Sequence, residues 1–304
     1  MIGSGPLLTA TVRTATPLIL AALGESVTEL SGIINVSLEG SIIAGAFAAF
    51  VGASVFGSAT GYLLGTAAGF LIGGLLALFV VVLRMEQIVT GTALTMFALG
   101  LTGTLYRGLY GSTGVSHSIP TSSHLFIPGL ASIPGIGPAL FDQPWVTYAA
   151  YILVPLVSWH LYRTHAGLAV RSVGAAPYAA AVCGVRVARV RALSTLFGSG
   201  LAGLAGATLV LAQAGTFAEG MSAGRGFIAI AIVALGRWHP TGVLIASVVF
   251  GAAMAVQYVV QALGWHVRYE LVLMIPYLLT LIALGFAGRG GAPNQLGRSD
   301  ASLS

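Results

Sequence analysis

The 304-residue chain contains no lysine; all 13 of its basic residues are arginines. A nucleotide-binding P-loop needs a lysine on the phosphates, so the chain carries no normal one, and any ATP that drives it must be bound by another subunit. There is a single cysteine, Cys183, which excludes an internal disulfide and argues against a cysteine-based metal site. Charge is scarce too. Charged residues make up 7% of the chain and hydrophobic ones 57%, with a mean hydropathy of +0.94. A soluble domain carries about 25% charged residues, so most of this surface is expected to face lipid. The six histidines show no metal-ligand spacing: His160 and His165 flank Arg163 at an expected helix end, and His117 and His124 lie in a polar loop. No Gly-x-Ser-x-Gly elbow and no carboxylate pair suited to hydrolysis occurs, so neither a catalytic centre nor a metal site is expected.

What is abundant is apolar sequence in long runs, with 42 glycines suited to close helix packing in a bilayer. A spanning helix needs about 20 apolar residues. Runs near 8–33, 36–57, 60–83, 87–107, 145–163, 190–213, 222–238, 240–262 and 267–287 predict an all-α polytopic bundle of about nine transmembrane helices, with 222–238 short enough to be re-entrant. Residues 1–287 read as one transmembrane domain and 288–304, rich in Gly, Ser and Asn, as a disordered tail. Met1 to Ala15 carries only Arg13 before the first apolar run, so insertion is expected to use the first helix rather than a cleaved leader. The formal charge of +5 comes from arginines beside apolar spans and predicts no nucleic-acid partner. With the loop 164–189 in the cytoplasm, nine arginines lie inside (Arg84, Arg163, Arg171, Arg186, Arg189, Arg191, Arg237, Arg289 and Arg298) and four outside (Arg13, Arg107, Arg225 and Arg268). That bias predicts a plasma-membrane protein with a cytoplasmic C-terminus and an extracellular N-terminus.

Polar residues inside apolar runs are the candidate functional groups. Asn35, Ser37 and Glu39, flanked by Gly32 and Gly40, interrupt the first long run. A carboxylate at the bilayer centre costs roughly 2.5–3.5 kcal/mol on insertion scales, so the stretch reads either as a broken helix lining a path or as a cytoplasmic turn with Glu39 capping the second helix. Glu25 and Glu29, four apart, share a helix face, either as a polar stripe or proton relay or as a pair satisfied by neighbouring helices. Arg84, Glu86 and Gln87 form a hinge: a turn, or a place where Gln87 meets substrate. A second glycine-broken stretch, Gln213 to Phe227, pairs with the first across the two halves of the chain, as in transporters with a site between repeats, or is a simple loop. The basic segment 165–189 holds a short surface helix, with Pro177 in its first turn and Gly184 at its end. It is either a docking element for another protein or an ordinary interfacial connector.

Five stretches carry a family resemblance: Gly32-Ile-Ile-Asn-Val-Ser-Leu-Glu-Gly40, Ser132-Ile-Pro-Gly-Ile-Gly-Pro-Ala-Leu-Phe141, Arg163-Thr-His-Ala-Gly-Leu168 through Gly184-Val185, Gly224 through Pro240, and Met274-Ile-Pro-Tyr-Leu-Leu-Thr280. In this order, over about residues 16–285, they resemble the permease subunits of the branched-chain amino acid/ribose ABC importer superfamily, in particular its nucleoside branch. The resemblance implies a second permease subunit, related but not identical, two ATPase subunits holding ATP and Mg, and an extracellular lipoprotein binding protein, with no cofactor on this chain. It implies purine nucleosides or related ribosides and sugars as substrates. Asn35 and Glu39 would hydrogen-bond ribose or base, Phe47 or Phe227 would stack on a ring, and Gln87 would lie on the same path. In the coupling segment it implies roles for Arg171, Gly174, Pro177, Ala180, Gly184 and Arg186. The family's acidic residue after the coupling glycine is absent, since Ala175 and Ala176 follow Gly174, which leaves Arg171 and Arg186 as the charges available there. The rivals are a proton-coupled secondary transporter using the membrane carboxylates, a lipid-acting membrane enzyme and a passive channel.

Overall fold

The computed structural model describes residues 4–111, 118–129, 131, 133, 137–262, 274–286 and 292–297. Its long helices are α1 (Ser4–Leu30), α2 (Leu38–Phe56), α3 (Ser58–Ala77), α4 (Gln87–Tyr110), α6 (Trp145–Arg163), α9 (Val187–Thr208) and α11 (Pro240–Ala262). The short ones are α5 (Gly137–Phe141), α7 (His165–Ala175), α8 (Pro177–Val182), α10 (Arg225–Leu235) and α12 (Ile275–Phe286). Helices occupy all nine expected places, but six segments are long and apolar enough to cross a membrane: 5–30, 38–56, 58–82, 87–110, 187–214 and 240–257. The protein is therefore a multi-pass membrane protein, and the expected count of nine spans is not reached among the described residues. The expected span 222–238 contracts to the 11 residues of α10. The span expected at 267–287 is described only from 274. Arg268, Arg289 and Arg298 of the orientation count lie outside the described residues, as do His117 and part of the 132–141 stretch.

Between α4, which runs on to Tyr110, and α6, the described residues hold a small hairpin: His124–Phe126 (β1) pairs antiparallel with Asp142–Pro144 (β2) around α5. Tyr148 Oη locks this hairpin onto α6 by donating to the Leu125 carbonyl at 2.9 Å.

The core forms where α1, α2, α3 and α9 meet, with α11 along the other side of α1. Small residues allow this. Gly65, Gly69 and Gly73 repeat every fourth residue on α3 and so share one face. A Cβ on Gly65 would lie 2.8 Å from the Gly45 carbonyl oxygen, one on Gly73 2.7 Å from Ser199 Oγ, and one on Gly69 2.8 Å from the Gly203 Cα. Backbones in lipid gain packing from such close approach, since no hydrophobic force drives one apolar helix onto another. Large side chains point the other way: Leu63, Leu71, Val89, Met96 and Ile152 are exposed, which suits a surface in contact with acyl chains. Both α3 and α9 end in a π-helical turn, Leu78–Val82 and Leu209–Ala214.

Candidate functional site: two broken segments joined by Glu39

Between α1 and α2 the chain leaves helical geometry at Ser31–Ser37, and Gly32 takes φ 93°. Of this stretch Ser31, Ile33, Asn35 and Ser37 are buried. Buried backbone groups without a helix need other partners, and they find them on three helices, α1, α4 and α9. Glu25 Oε1 accepts the Asn35 N–H at 2.9 Å, and Gln87 Oε1 accepts the Ile34 N–H at 3.0 Å. Thr95 Oγ1 donates to the Val36 carbonyl at 3.1 Å. Arg191 Nε donates to the Ser31 carbonyl at 3.4 Å, a buried arginine that covers the end of α1. The Asn35 side chain is itself held: Nδ2 donates to Ser199 Oγ at 2.9 Å and Oδ1 accepts from Ser37 Oγ at 2.6 Å.

Glu39 does not cap its own helix. Its carboxylate reaches across 185 residues to the second break, where Oε1 accepts the Gly224 N–H at 2.8 Å and Oε2 the Gly226 N–H at 2.6 Å. Ala223 and Gly224 both have positive φ, 47° and 77°, which turns successive amides toward one anion. The site is the N-terminus of α10, whose dipole and free N–H groups favour a carboxylate. Gly226 leaves the room: a Cβ there would lie 2.5 Å from the Glu39 nitrogen. The two glycine-broken stretches thus meet, and one buried charge joins them.

The other sequence-derived residues divide. Phe47 sits two turns along α2 from Glu39 in an aromatic cluster, edge-on to Phe217 at 5.4 Å; Phe50, Tyr106 and Tyr110 complete it. Arg107 and Glu219 pair beside it at 3.1 Å. Phe227 is not brought to this group; it is half exposed at 50%. Glu25 and Glu29 are both buried, and Glu29 accepts a hydrogen bond from the Trp238 indole N–H. Left-handed backbone at Arg237 and Trp238, φ 53° and 57°, sets that ring in place, a conformation that costs about 1–3 kcal/mol for a non-glycine residue.

Sequence reasoning missed Ser199, Arg191, Phe217 and Trp238. Arg191 alone gave a signal, as a third arginine after Arg186 and Arg189 that falls inside an apolar run; serines and aromatics in spans are too common to stand out.

On the opposite side of α7 from the core lies a second feature. Thr164 caps α7 by accepting the Gly167 N–H at 3.0 Å. Pro177 starts α8 at its first position, and Gly184, φ 86°, ends the turn after it. Pro177, Ala180 and Gly174 are buried, whereas Tyr178 and Val182 stand out with 79% and 73% exposure. Arg171 stacks over the Tyr162 ring at 4.9 Å, and Arg186 is exposed. A groove of about 460 Å³ between α7 and α8 is lined largely by alanines and Ser172.

The model of the family described as "branched-chain amino acid transport system / permease component" matches residues 7–284. The chain belongs to this permease family. The permease is 35% identical over 299 residues to the guanosine ABC transporter permease of Bacillus subtilis, covering 95% of this chain and 94% of that one. It is 34% identical over 296 residues to a nucleoside ABC transporter permease of Lactococcus lactis, covering 93% and 92%. It is 36% identical over 263 residues to a putative glucose ABC transporter permease of Haloferax volcanii, covering 85% and 78%. No solved structure matches the permease. Both breaks, and the carboxylate that joins them, fall within the matched residues.

Proposed function

We propose that the permease is a non-catalytic membrane subunit of an ATP-driven importer of purine nucleosides or related ribosides and sugars. What carries the reading is its similarity, along almost the whole length of both chains, to permeases named for guanosine and nucleosides. The geometry agrees in kind. A nucleoside is neutral, polar and aromatic, and the polar break at Asn35 and Glu39 lies two turns along α2 from the Phe47 ring and its partner Phe217. In the present conformation the Asn35 and Glu39 groups are engaged within the protein and the rings pack on one another, which suits a closed state of an alternating-access cycle. Gln87, which holds the Ile34 N–H, completes the candidate pathway, and Phe227, half exposed on α10, stands apart from it.

The groove of α7 and α8, with Tyr178 and Val182 projecting, is the surface on which a separate ATPase subunit, holding ATP and Mg, would act. A second, related permease chain and an extracellular lipoprotein binding protein complete the assembly. This orientation puts the α7–α8 side and the C-terminus in the cytoplasm and the N-terminus outside. Transmembrane helices beyond the six candidate spans would come from α6, α10 and α12.

Deleting the gene and measuring uptake of labelled guanosine and ribose tests the reading, with ATP depleted and the proton gradient collapsed in separate arms. Loss of guanosine uptake that follows ATP and ignores the gradient is expected. The burial of Glu25 and Glu29 on one helix face favours one second reading, a proton-coupled transporter. Uptake that follows the gradient would support it instead.

A further inference from the structure

A pocket of about 460 Å³ opens between the first half of α1, the turn after α9 and the start of α10, lined by Arg13, Thr14, Leu209, Gln213, Met221 and Arg225 among others, with no carboxylate in its wall. Two guanidinium groups share it, and neither forms an ion pair among the described residues. Arg13 touches His124 through Nη2 at 3.3 Å, and Asp142 lies on the other nitrogen of that imidazole at 3.4 Å. The Nε of Arg13 is buried with no hydrogen-bond partner. Arg225 spends Nη1 on the carbonyls of Met221 and Ser222, at 2.8 and 3.1 Å. Glu39 has both oxygens taken by the Gly224 and Gly226 amides on either side of Arg225. The N-terminus of α10 is thus taken by Glu39, and what the pocket itself presents is two guanidinium groups with no carboxylate in its lining.

Positive groups held in a partly dry pocket attract an anion more strongly than in water. The forked donors of two arginines match a tetrahedral oxyanion approached from two sides, and arginine binds phosphate with two parallel hydrogen bonds. Gln213 is fixed beside them, because its Nε2 donates to the Arg13 carbonyl at 2.6 Å. The volume exceeds that of a bare phosphate, and Leu209, Met221 and the neighbouring alanines supply apolar wall for whatever the phosphate is esterified to. We infer that Arg13 and Arg225 form a phosphate-binding site, for the headgroup of a phospholipid or for phosphate free in solution.

The complete transporter, purified with this chain wild type or carrying Arg13→Gln with Arg225→Gln, tests the inference in two arms. In the first, nanodiscs containing phosphatidylglycerol and an uncharged glycolipid are dissolved gently and the retained lipid is read by native mass spectrometry. Phosphatidylglycerol kept by the wild type and lost by the double variant makes a lipid headgroup the occupant. In the second, labelled inorganic phosphate is titrated against delipidated protein. Saturable binding that the double variant loses makes free phosphate the occupant. The conservative pair Arg13→Lys with Arg225→Lys keeps the charge and loses the fork, and is expected to retain an intermediate amount. Its proper folding, checked by melting in detergent, guards against reading a collapsed protein as a lost site. Equal retention of phosphatidylglycerol and equal phosphate binding by wild type and Gln variants would overturn the inference.

Discussion

Glu39 is the residue whose environment most exceeds what its neighbours in sequence suggest. Two charge-assisted bonds to Gly224 and Gly226 are each worth about 1.5–3 kcal/mol when the group is buried. Glu39→Gln keeps one carbonyl acceptor and turns an N–H₂ donor toward a row of N–H groups. It should lower the melting temperature in detergent by several degrees and abolish most uptake, whereas Asn35→Ala, which removes two neutral bonds, should cost less stability. A Gly226→Val change meets Glu39 backbone directly and should reproduce the Glu39→Gln defect in uptake, measured at matched membrane levels. Much of this was legible in the chain: an Asn and a Glu inside an apolar run announce themselves because the bilayer makes them costly. Their partners were not legible. Ser199 and the Gly224 and Gly226 amides carry no charge and lie more than 160 residues away, so only the fold reveals them.

At the scale of elements, the apolar runs predicted the helices well because length in lipid is set by thickness. They failed where a helix is short or bent for another reason. The expected first span ran through to residue 33, but the Gly32 turn stops α1 at Leu30; α10 is capped by a carboxylate from elsewhere and begins only at Arg225. The tail expected to be disordered is described at 292–297. There Gln295 donates its N–H to the Gly174 carbonyl at 3.1 Å, and Gly297 to the Gly32 carbonyl at 3.3 Å. Ending the chain after Gly291 should therefore speed amide exchange around 31–33 and 172–178, read by mass spectrometry, while leaving α11 unchanged. On α8 the projecting Tyr178 and Val182 make no use of their exposure within the chain. Tyr178→Asp with Val182→Asp should leave the protein in the membrane but cut uptake at least tenfold, with ATP hydrolysis by the assembled complex no longer stimulated by substrate.

For the whole molecule, the single thiol becomes a reporter of topology. Cys183 is exposed and sits at the end of α8, so a membrane-impermeant maleimide should label it in inverted vesicles and not in intact cells; the reverse pattern would turn the proposed orientation over. The glycine seams between α2, α3 and α9 leave no slack for these helices to slide, since a packed interior does not deform continuously. Glu39 fastens α10 to that slab. The chain is then a lever and not a pair of jaws. In the assembly proposed above, a route for solute that opens and shuts needs a second lever facing the first, so selection on one chain's face would be matched by change in the face opposite, and the seam between the two chains is where a new substrate preference would arise.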